Sequence, residues 1–459
     1  MNSNLFSNKI RGRSFSTTQI ILLSFLIAIL LGSLLLSLPI STKSRISVSY
    51  IDALFTATTA TCVTGLVTLP TFTTWSVFGQ VVLLILIQIG GLGIITVLSG
   101  ITVAMNRKMK LKDSRLISDA FNISSLEGLS GFVKKVMLGT FIVEGVGALL
   151  YMMVFVPQFG LRGVWISVFN SISAFCNAGI DIIAEDSLCS YATNPAINII
   201  TSLLIVLGGL GYIVWWDVLR VVKDFKVQKF KCFRRLTLHS KIVLSITAIL
   251  IFGGALLVFV FEYSNPQTIG NMSLFDKIQA SLFQSITLRT AGFATIPQEN
   301  LTDTTAIISL LFMFVGGSPV GTAGGIKTVT IAVLVFTAYA LITNKNEISV
   351  FNRSLSKQVT RKAVAVTVMS FSIMFVSTVL LSAVTDAPAL DIVYETVSAT
   401  ATVGLTRNLT PFLNLWGKLI IICTMYLGRI GPISLAIAFS YSKETSNNIK
   451  NPTEEISVG

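Results

Sequence analysis

Residues 282–293 read LFQSITLRTAGF, and the chain writes that phrase three more times: LFTATTATCVTGL at 54–66, VFNSISAFCNAGI at 168–180 and VYETVSATATVGL at 393–405. Each version opens on an aromatic, runs through small hydroxylated residues and closes on a glycine. Phe55, Phe169, Phe283 and Tyr394 are 114, 114 and 111 residues apart, and Gly65, Gly179, Gly292 and Gly404 are 114, 113 and 112 apart. A second marker follows each phrase: GGLG at 90–93 and at 208–211, GGSPVG at 316–321, and GRIG at 428–431. Two independent markers that recur at one period make a fourfold internal repeat.

The surroundings of the phrase say where it sits. Hydrophobic residues make up 53% of the 459-residue chain and charged residues only 12%. A soluble domain carries about 25% charged residues, so roughly half of the usual charge is missing. The apolar residues cluster into runs long enough for a helix to cross a bilayer, which takes about 20 residues. The chain is therefore read as an all-α polytopic membrane protein. Its first apolar run, Ile20 to Ile40, has no small-residue cleavage site after it and reads as a retained span.

Each repeat has one hydropathy profile. A long apolar helix, near 18–40, 133–157, 241–262 and 363–385, precedes the phrase. A second long apolar helix, near 75–105, 196–222, 304–342 and 414–441, follows it. The phrase segment, for example Ile51 to Cys62, is too short to span and too apolar for an ordinary loop, which suggests a re-entrant half-helix. The expected fold is four parallel helix–pore-helix–helix units around a central pore, with about eight transmembrane helices and four re-entrant loops. The boundaries follow: tail 1–17, repeat 18–105, loop 106–132, repeat 133–222, loop 223–240, repeat 241–342, loop 343–362, repeat 363–441 and tail 442–459.

The formal net charge of +13 does not require nucleic acid. Twenty-five of the 34 Lys and Arg residues fall before the first span, within 106–135, 219–241 and 343–362, or after 442. The opposite segments hold Asp181, Glu185, Asp186, Glu299, Asp303, Asp386 and Asp391. The positive-inside rule puts both termini and the basic loops in the cytoplasm, where they face anionic lipid. Shared orientation of all four units excludes inverted repeats. The five cysteines have no metal-ligand spacing and His239 is the sole histidine, which argues against a zinc site or a Cys–His nucleophile. No GxGxxG fingerprint occurs on a strand, so a nucleotide would bind only a partner subunit. No cofactor is expected in this chain, and it is not read as an enzyme.

Four parallel units would bring four return loops to one axis. Small residues let backbones approach closely, and glycine permits dihedrals that turn carbonyls inward. A ring of carbonyls can replace the hydration shell of a potassium ion, and the C-terminal ends of the half-helices would add partial negative charge. The expected potassium-binding filter is Val63, Thr64 and Gly65; Asn177, Ala178 and Gly179; Thr290, Ala291 and Gly292; and Thr402, Val403 and Gly404. The third phrase is one residue shorter between aromatic and glycine, nine against ten. The competing reading of the glycines as helix-packing residues explains GGLG but not four short segments in register.

These residues resemble the Trk/Ktr/HKT superfamily of potassium transporters. The resemblance rests on TATCVTGL at 59–66, FCNAGID at 175–181, LRTAGF at 288–293, TATVGLT at 400–406, GGSPVGTAGGIKT at 316–328 and LGRIGP at 427–432, and covers residues 17–441. The first repeat starts almost at once, which is more similar to the Ktr-type membrane subunit than to Trk-type subunits. The resemblance implies a homodimer with one pore per protomer in the lipid bilayer of the plasma membrane. It also implies a cytosolic ring of RCK/KTN nucleotide-binding subunits (KtrA-like) as partner, and sodium stimulation of uptake.

Several further residues carry expectations. Gly316, Gly317, Ser318, Pro319, Gly321, Thr322, Ala323, Gly324 and Gly325 cannot continue a helix, at about 1 kcal/mol per glycine and 3 for proline. Irregular backbone at membrane depth survives where it lines a cavity or is buried in protein, so the stretch reads as a flap across the pore rather than a plain kink. Arg429 replaces the second marker glycine and is expected to hold the flap; the family pattern also has a basic residue there. Lys327 is expected to anchor the flap end at the cytoplasmic interface. Arg289 is expected to turn behind the filter and pair with a carboxylate such as Glu395. Glu144 reads as a buried brace, with a coupling-ion role as its alternative. A coupled symporter would need carboxylates at a midplane site, for which only Glu144 is a candidate, and no Arg-rich helix suggests a voltage sensor.

Overall fold

The computed structural model describes residues 17–93, 96, 97, 99, 129–223, 233–345 and 347–431. The expected tails apart from Thr17, most of 94–105 at the end of the first repeat, 432–441 at the end of the fourth, and most of the loop 106–132 lie outside them, as do 224–232 of the second loop. In chain order the helices are α1 (Thr17–Leu36), α2 (Tyr50–Cys62), α3 (Val77–Leu92), α4 (Leu129–Phe159), α5 (Leu161–Cys176), α6 (Pro195–Leu210) and α7 (Tyr212–Lys223). There follow α8 (Leu238–Glu262), α9 (Leu274–Thr287), α10 (Asp303–Phe314), α11 (Thr328–Ile342), α12 (Lys357–Ser382), α13 (Ala389–Ala401) and α14 (Leu415–Ile430). The strands described are a hairpin of two-residue pieces, Ser349–Val350 against Arg353–Ser354.

Helices α1, α4, α8 and α12 are long and apolar enough to cross a membrane. They carry apolar side chains outward: Leu31 is 58% exposed, Phe252 69% and Phe371 54%. Apolar faces of that extent are stable against lipid, not against water. The phrase helices α2, α5, α9 and α13 lie inside. Their aromatics Phe55, Phe169, Phe283 and Tyr394 are all buried. Some hydroxyls within them are satisfied locally: Thr58 and Thr61 donate to the carbonyls of Leu54 and Ala57, four residues back, at 2.7 Å each. Helices α2 and α9 start on serine caps, Ser49 and Ser273, whose hydroxyls accept the Asp52 and Asp276 amides at 3.3 and 3.2 Å.

The second helix of each repeat is not the continuous rod that hydropathy suggests. Helices α3, α6 and α14 each stop at the last glycine of the marker: Gly93, Gly211 and Gly431 have φ of +82°, +85° and +86°. That region ends a helix and is open to glycine without steric cost. After Gly211 the chain turns by 100° into α7. In the third repeat the glycine-rich stretch separates α10 from α11. The first glycine of the marker serves packing. A β-carbon on Gly90, Gly208 or Gly428 would lie 2.0, 2.0 or 2.2 Å from the carbonyl oxygen of Thr61, Phe175 or Thr400, the next-to-last residues of α2, α5 and α13. Backbone thus meets backbone, as small residues allow between membrane helices.

Candidate functional site

The four phrases end in one kind of turn, and a hydroxyl holds each. The hydroxylated residue four after the aromatic is Thr59, Ser173, Thr287 or Ser398. Its carbonyl accepts the amide of the residue before the phrase glycine: Thr64 at 2.9 Å, Ala178 at 2.8 Å, Ala291 at 3.0 Å and Val403 at 2.8 Å. Its side chain holds the strand beyond. Thr59 and Ser398 Oγ accept the amides of Gly65 and Gly404, both at 3.0 Å. Ser173 Oγ donates to the Ile180 carbonyl at 2.5 Å, and Thr287 Oγ1 to the Phe293 carbonyl at 2.6 Å. The third phrase closes this tie over four residues instead of five, which absorbs its missing residue. Their constant distance from the aromatic marks these hydroxyls in the sequence, where their small size suggests packing alone.

Two residues before each glycine the chain enters the left-handed region: φ is +55° at Val63, +60° at Asn177, +61° at Thr290 and +51° at Thr402. Asparagine tolerates this, whereas for β-branched Val63, Thr290 and Thr402 it is strained, on the order of 1–2 kcal/mol each. Strain of this kind persists where surrounding structure over-determines it, and it concentrates at functional sites. The glycines themselves have φ of +101°, +64°, +81° and +97°.

They face one another in a closed cycle. A β-carbon on Gly65 would lie 2.7 Å from the Ala178 carbonyl oxygen, one on Gly179 2.7 Å from that of Ala291, and one on Gly292 2.7 Å from that of Val403. One on Gly404 would lie 2.2 Å from the Thr64 carbonyl oxygen, which completes the cycle. The structure thus brings together the glycine and the middle residue of all four expected triplets. The C-terminal ends of α2, α5, α9 and α13 lead into this ring and contribute partial negative charge.

One open cavity is lined by all four glycines together with Asp181, Glu185, Asp186 and Glu299, and no Lys or Arg among the described residues lines it. A vestibule of one sign raises the local concentration of cations. A second cavity is lined by Thr400 and Ala401 at the end of α13, by Gly90 and Gly91, by Val320, Gly321 and the stretch from Ala323 to Lys327, and by Arg429.

That stretch has an ordered form. The Gly316 amide donates to the Ile326 carbonyl at 2.9 Å and the Thr328 amide to the Gly317 carbonyl at 3.0 Å, closing the loop on itself. It then docks on the bend between α6 and α7. The amides of Ser318 and Thr322 donate to the carbonyls of Gly209 and Gly208 at 2.8 and 3.1 Å, and the Tyr212 amide donates to the Val320 carbonyl at 3.0 Å. The loop thereby satisfies carbonyls that the end of α6 leaves unpaired. Ser318 and Thr328 hydroxyls share a bond at 3.0 Å. Gly324 lies against Thr402, whose Oγ1 would be 1.9 Å from an added β-carbon. Arg429 donates from Nη1 to the Thr322 carbonyl at 2.7 Å and from Nη2 to the Gly90 carbonyl at 2.6 Å. The guanidinium therefore clamps the loop to α3.

Other expectations are corrected. Arg289 is buried but does not meet Glu395; its Nη2 lies 3.5 Å from Thr247 Oγ1. Glu395 accepts instead from the hydroxyls of Thr406, at 2.6 Å, and Thr410. Lys327 does not reach out from the loop: its Nζ turns back to the Ala323 carbonyl at 2.6 Å, capping the loop from within. Glu144 has the bracing geometry, accepting from Gln88 Nε2 at 3.1 Å while its backbone carbonyl accepts from Ser171 Oγ at 2.6 Å.

The model of the TrkH cation transport protein family matches residues 6–450. The chain is 41% identical over 446 residues to Ktr system potassium uptake protein B of Bacillus subtilis, covering 97% of both chains. It is 34% identical to the potassium/sodium uptake protein NtpJ of Enterococcus hirae, over 99% of this chain and all of that one. Its fold is similar to the crystal structure of the potassium transporter TrkH from Vibrio parahaemolyticus, with a TM-score of 0.74 at 18% identity, covering 94% of this chain and 86% of that one. The chain belongs to the TrkH family of membrane cation transporters.

Proposed function

We propose that this member of the TrkH family takes up potassium across the cell membrane through a selectivity filter made of four non-identical repeats. The filter comprises Val63–Gly65, Asn177–Gly179, Thr290–Gly292 and Thr402–Gly404, acting mainly through backbone carbonyls. One observation carries the reading: each phrase glycine faces the middle carbonyl of the next phrase, around a closed cycle. Only a residue without a β-carbon fits there, and the carbonyls so gathered can take the place of water around a dehydrated ion. The carboxylates of the outer vestibule support a cation as cargo.

The loop Gly316–Gly325, held by Arg429, is the gate. Its bonds to Gly208 and Gly209, with the Arg429 bond to the Gly90 carbonyl, close the path on the inner side, and the arginine charge repels cations that leave the filter. In the membrane the chain forms a homodimer of four-repeat pores with both termini in the cytoplasm. The gate is regulated by a cytosolic RCK/KTN subunit that carries the nucleotide, and uptake is stimulated by sodium. The relatives named as Ktr system and potassium/sodium uptake proteins support potassium as the cargo and membership of a multi-component system. The coupled-symport alternative is disfavoured because the Glu144 carboxylate is engaged by Gln88. Reconstitution of this chain alone into liposomes, with influx of potassium, rubidium and sodium compared, tests the proposal. Potassium and rubidium influx well above sodium is expected; equal influx of all three contradicts it.

A further inference from the structure

The residue directly after each phrase aromatic is polar and buried: Thr56 (3% exposed), Asn170 (1%), Gln284 (0%) and Glu395 (0%). They occupy one register on four helices, yet among the described residues only two of them are bonded through their side chains. Gln284 exchanges amide bonds with Gln298, donating at 2.7 Å and accepting at 3.1 Å, and the Tyr394 hydroxyl donates to the same Gln298 Oε1 at 3.1 Å. Glu395 accepts from Thr406 Oγ1 at 2.6 Å and from the Thr410 hydroxyl. By contrast, Thr56 Oγ1 and both side-chain amide atoms of Asn170 are buried without a partner among the described residues.

The bonded pair reaches the strands that return from the ring. Thr406 lies two residues beyond Gly404, and its Oγ1 also accepts the Leu409 amide at 3.1 Å, so the Glu395 carboxylate fixes the turn directly after the glycine. Arg407, the next residue, donates from Nε to Asp391 Oδ1 at 2.7 Å and from Nη1 to the carbonyls of Gln298 and Leu301 at 3.3 Å each. The fourth return strand is thereby tied to α13 and to the third return strand. A carboxyl group suits this place because its two oxygens accept two hydroxyl bonds at once. We infer that Glu395 is a positioning residue for ion selectivity: it touches no ion but fixes the strand that carries Gly404, and the filter depends on this brace more than on the unbonded positions Thr56 and Asn170.

The inference rests on the reading of Gly404 as a filter residue, and the experiment separates the two. Potassium-over-sodium influx is measured in proteoliposomes for Glu395→Ala, Glu395→Gln, Thr406→Val, Thr410→Val, Thr56→Val and Gly404→Ala. Glu395→Ala is expected to lower the ratio about tenfold, a change of about 1.4 kcal/mol in discrimination. Thr406→Val and Thr410→Val each lower it less, and they carry the test if the alanine variant fails to fold. Glu395→Gln, which keeps the shape and one acceptor, restores most of the ratio, and Thr56→Val leaves it unchanged. Wild-type selectivity in Glu395→Ala, or in both threonine variants, overturns the inference, as does a loss in Thr56→Val equal to theirs. If Gly404→Ala also keeps wild-type selectivity, the filter reading itself falls; if it loses selectivity while the brace variants do not, only the brace is wrong.

Discussion

Replacing Arg429 by alanine removes two charge-assisted hydrogen bonds, one to the Thr322 carbonyl in the loop and one to the Gly90 carbonyl on α3. Bonds to a charged group are worth about 1.5–3 kcal/mol each, and only the one to Thr322 holds the loop itself. Losing about 2 kcal/mol from the closed state moves the open–closed balance roughly thirtyfold toward open. Three backbone bonds to the α6–α7 bend remain, through Ser318, Thr322 and Tyr212, so the loop should loosen and not unfold. Gly324→Ala attacks the same closed position sterically, since its β-carbon would lie 1.9 Å from Thr402 Oγ1 and 2.9 Å from the Ala401 carbonyl oxygen. Rubidium influx into proteoliposomes, with and without the cytosolic partner, is the assay. Both variants should raise influx without the partner and narrow the difference the partner makes. Folded variants with lower influx and undiminished partner dependence would refute the gate.

Removing a hydroxyl tie should cost both stability and discrimination. Thr59→Val and Ser398→Ala each strand a buried glycine amide, at about 1–3 kcal/mol, and a fall in both Tm and potassium-over-sodium influx is expected. Val63→Gly relieves left-handed strain, so Tm should hold or rise while selectivity drops; a gain or no change in selectivity would count against the role given to that strain. Burial pushes the Asp181 carboxyl up to about 6, against its Ile183 amide bond, which pulls the other way. Because the folded value lies above the ordinary one, the charged form is disfavoured by the fold, and stability from this group increases as pH falls through about 6. The vestibule loses that negative charge over the same range. Influx from dilute potassium should decline as outside pH drops through about 6, and Asp181→Asn should abolish the step.

The helical membrane class was legible because it depends on composition and on apolar run length, quantities that need no partner. The register of the third phrase was harder, since one residue is missing there, but Thr290 and Gly292 adopt the same dihedral signs as their counterparts. The bend at Gly211 was not legible. Hydropathy stays apolar across 196–222, and the break is fixed by a distant loop, through the Tyr212 amide bond to the Val320 carbonyl. The pairing of Arg289 with Glu395 failed for a related reason: opposite charge suggested a partner, while the fold supplied the carboxylate with two threonine hydroxyls from its own return strand. The repeated hydroxyls were visible in the sequence all along. Their small size explained close packing well enough to hide their bonding role, which needs the course of the strand after the glycine.

The central claim, that four glycine turns form one cation-selecting ring, is tested most directly by substituting Gly65, Gly179, Gly292 and Gly404 with serine one at a time and measuring the potassium-over-sodium influx ratio of each folded variant. All four should lose discrimination, Gly404→Ser most severely, because an added β-carbon there would lie 2.2 Å from the Thr64 carbonyl oxygen against 2.6 or 2.7 Å for the closest approach at the others. Wild-type ratios in all four variants would contradict the account.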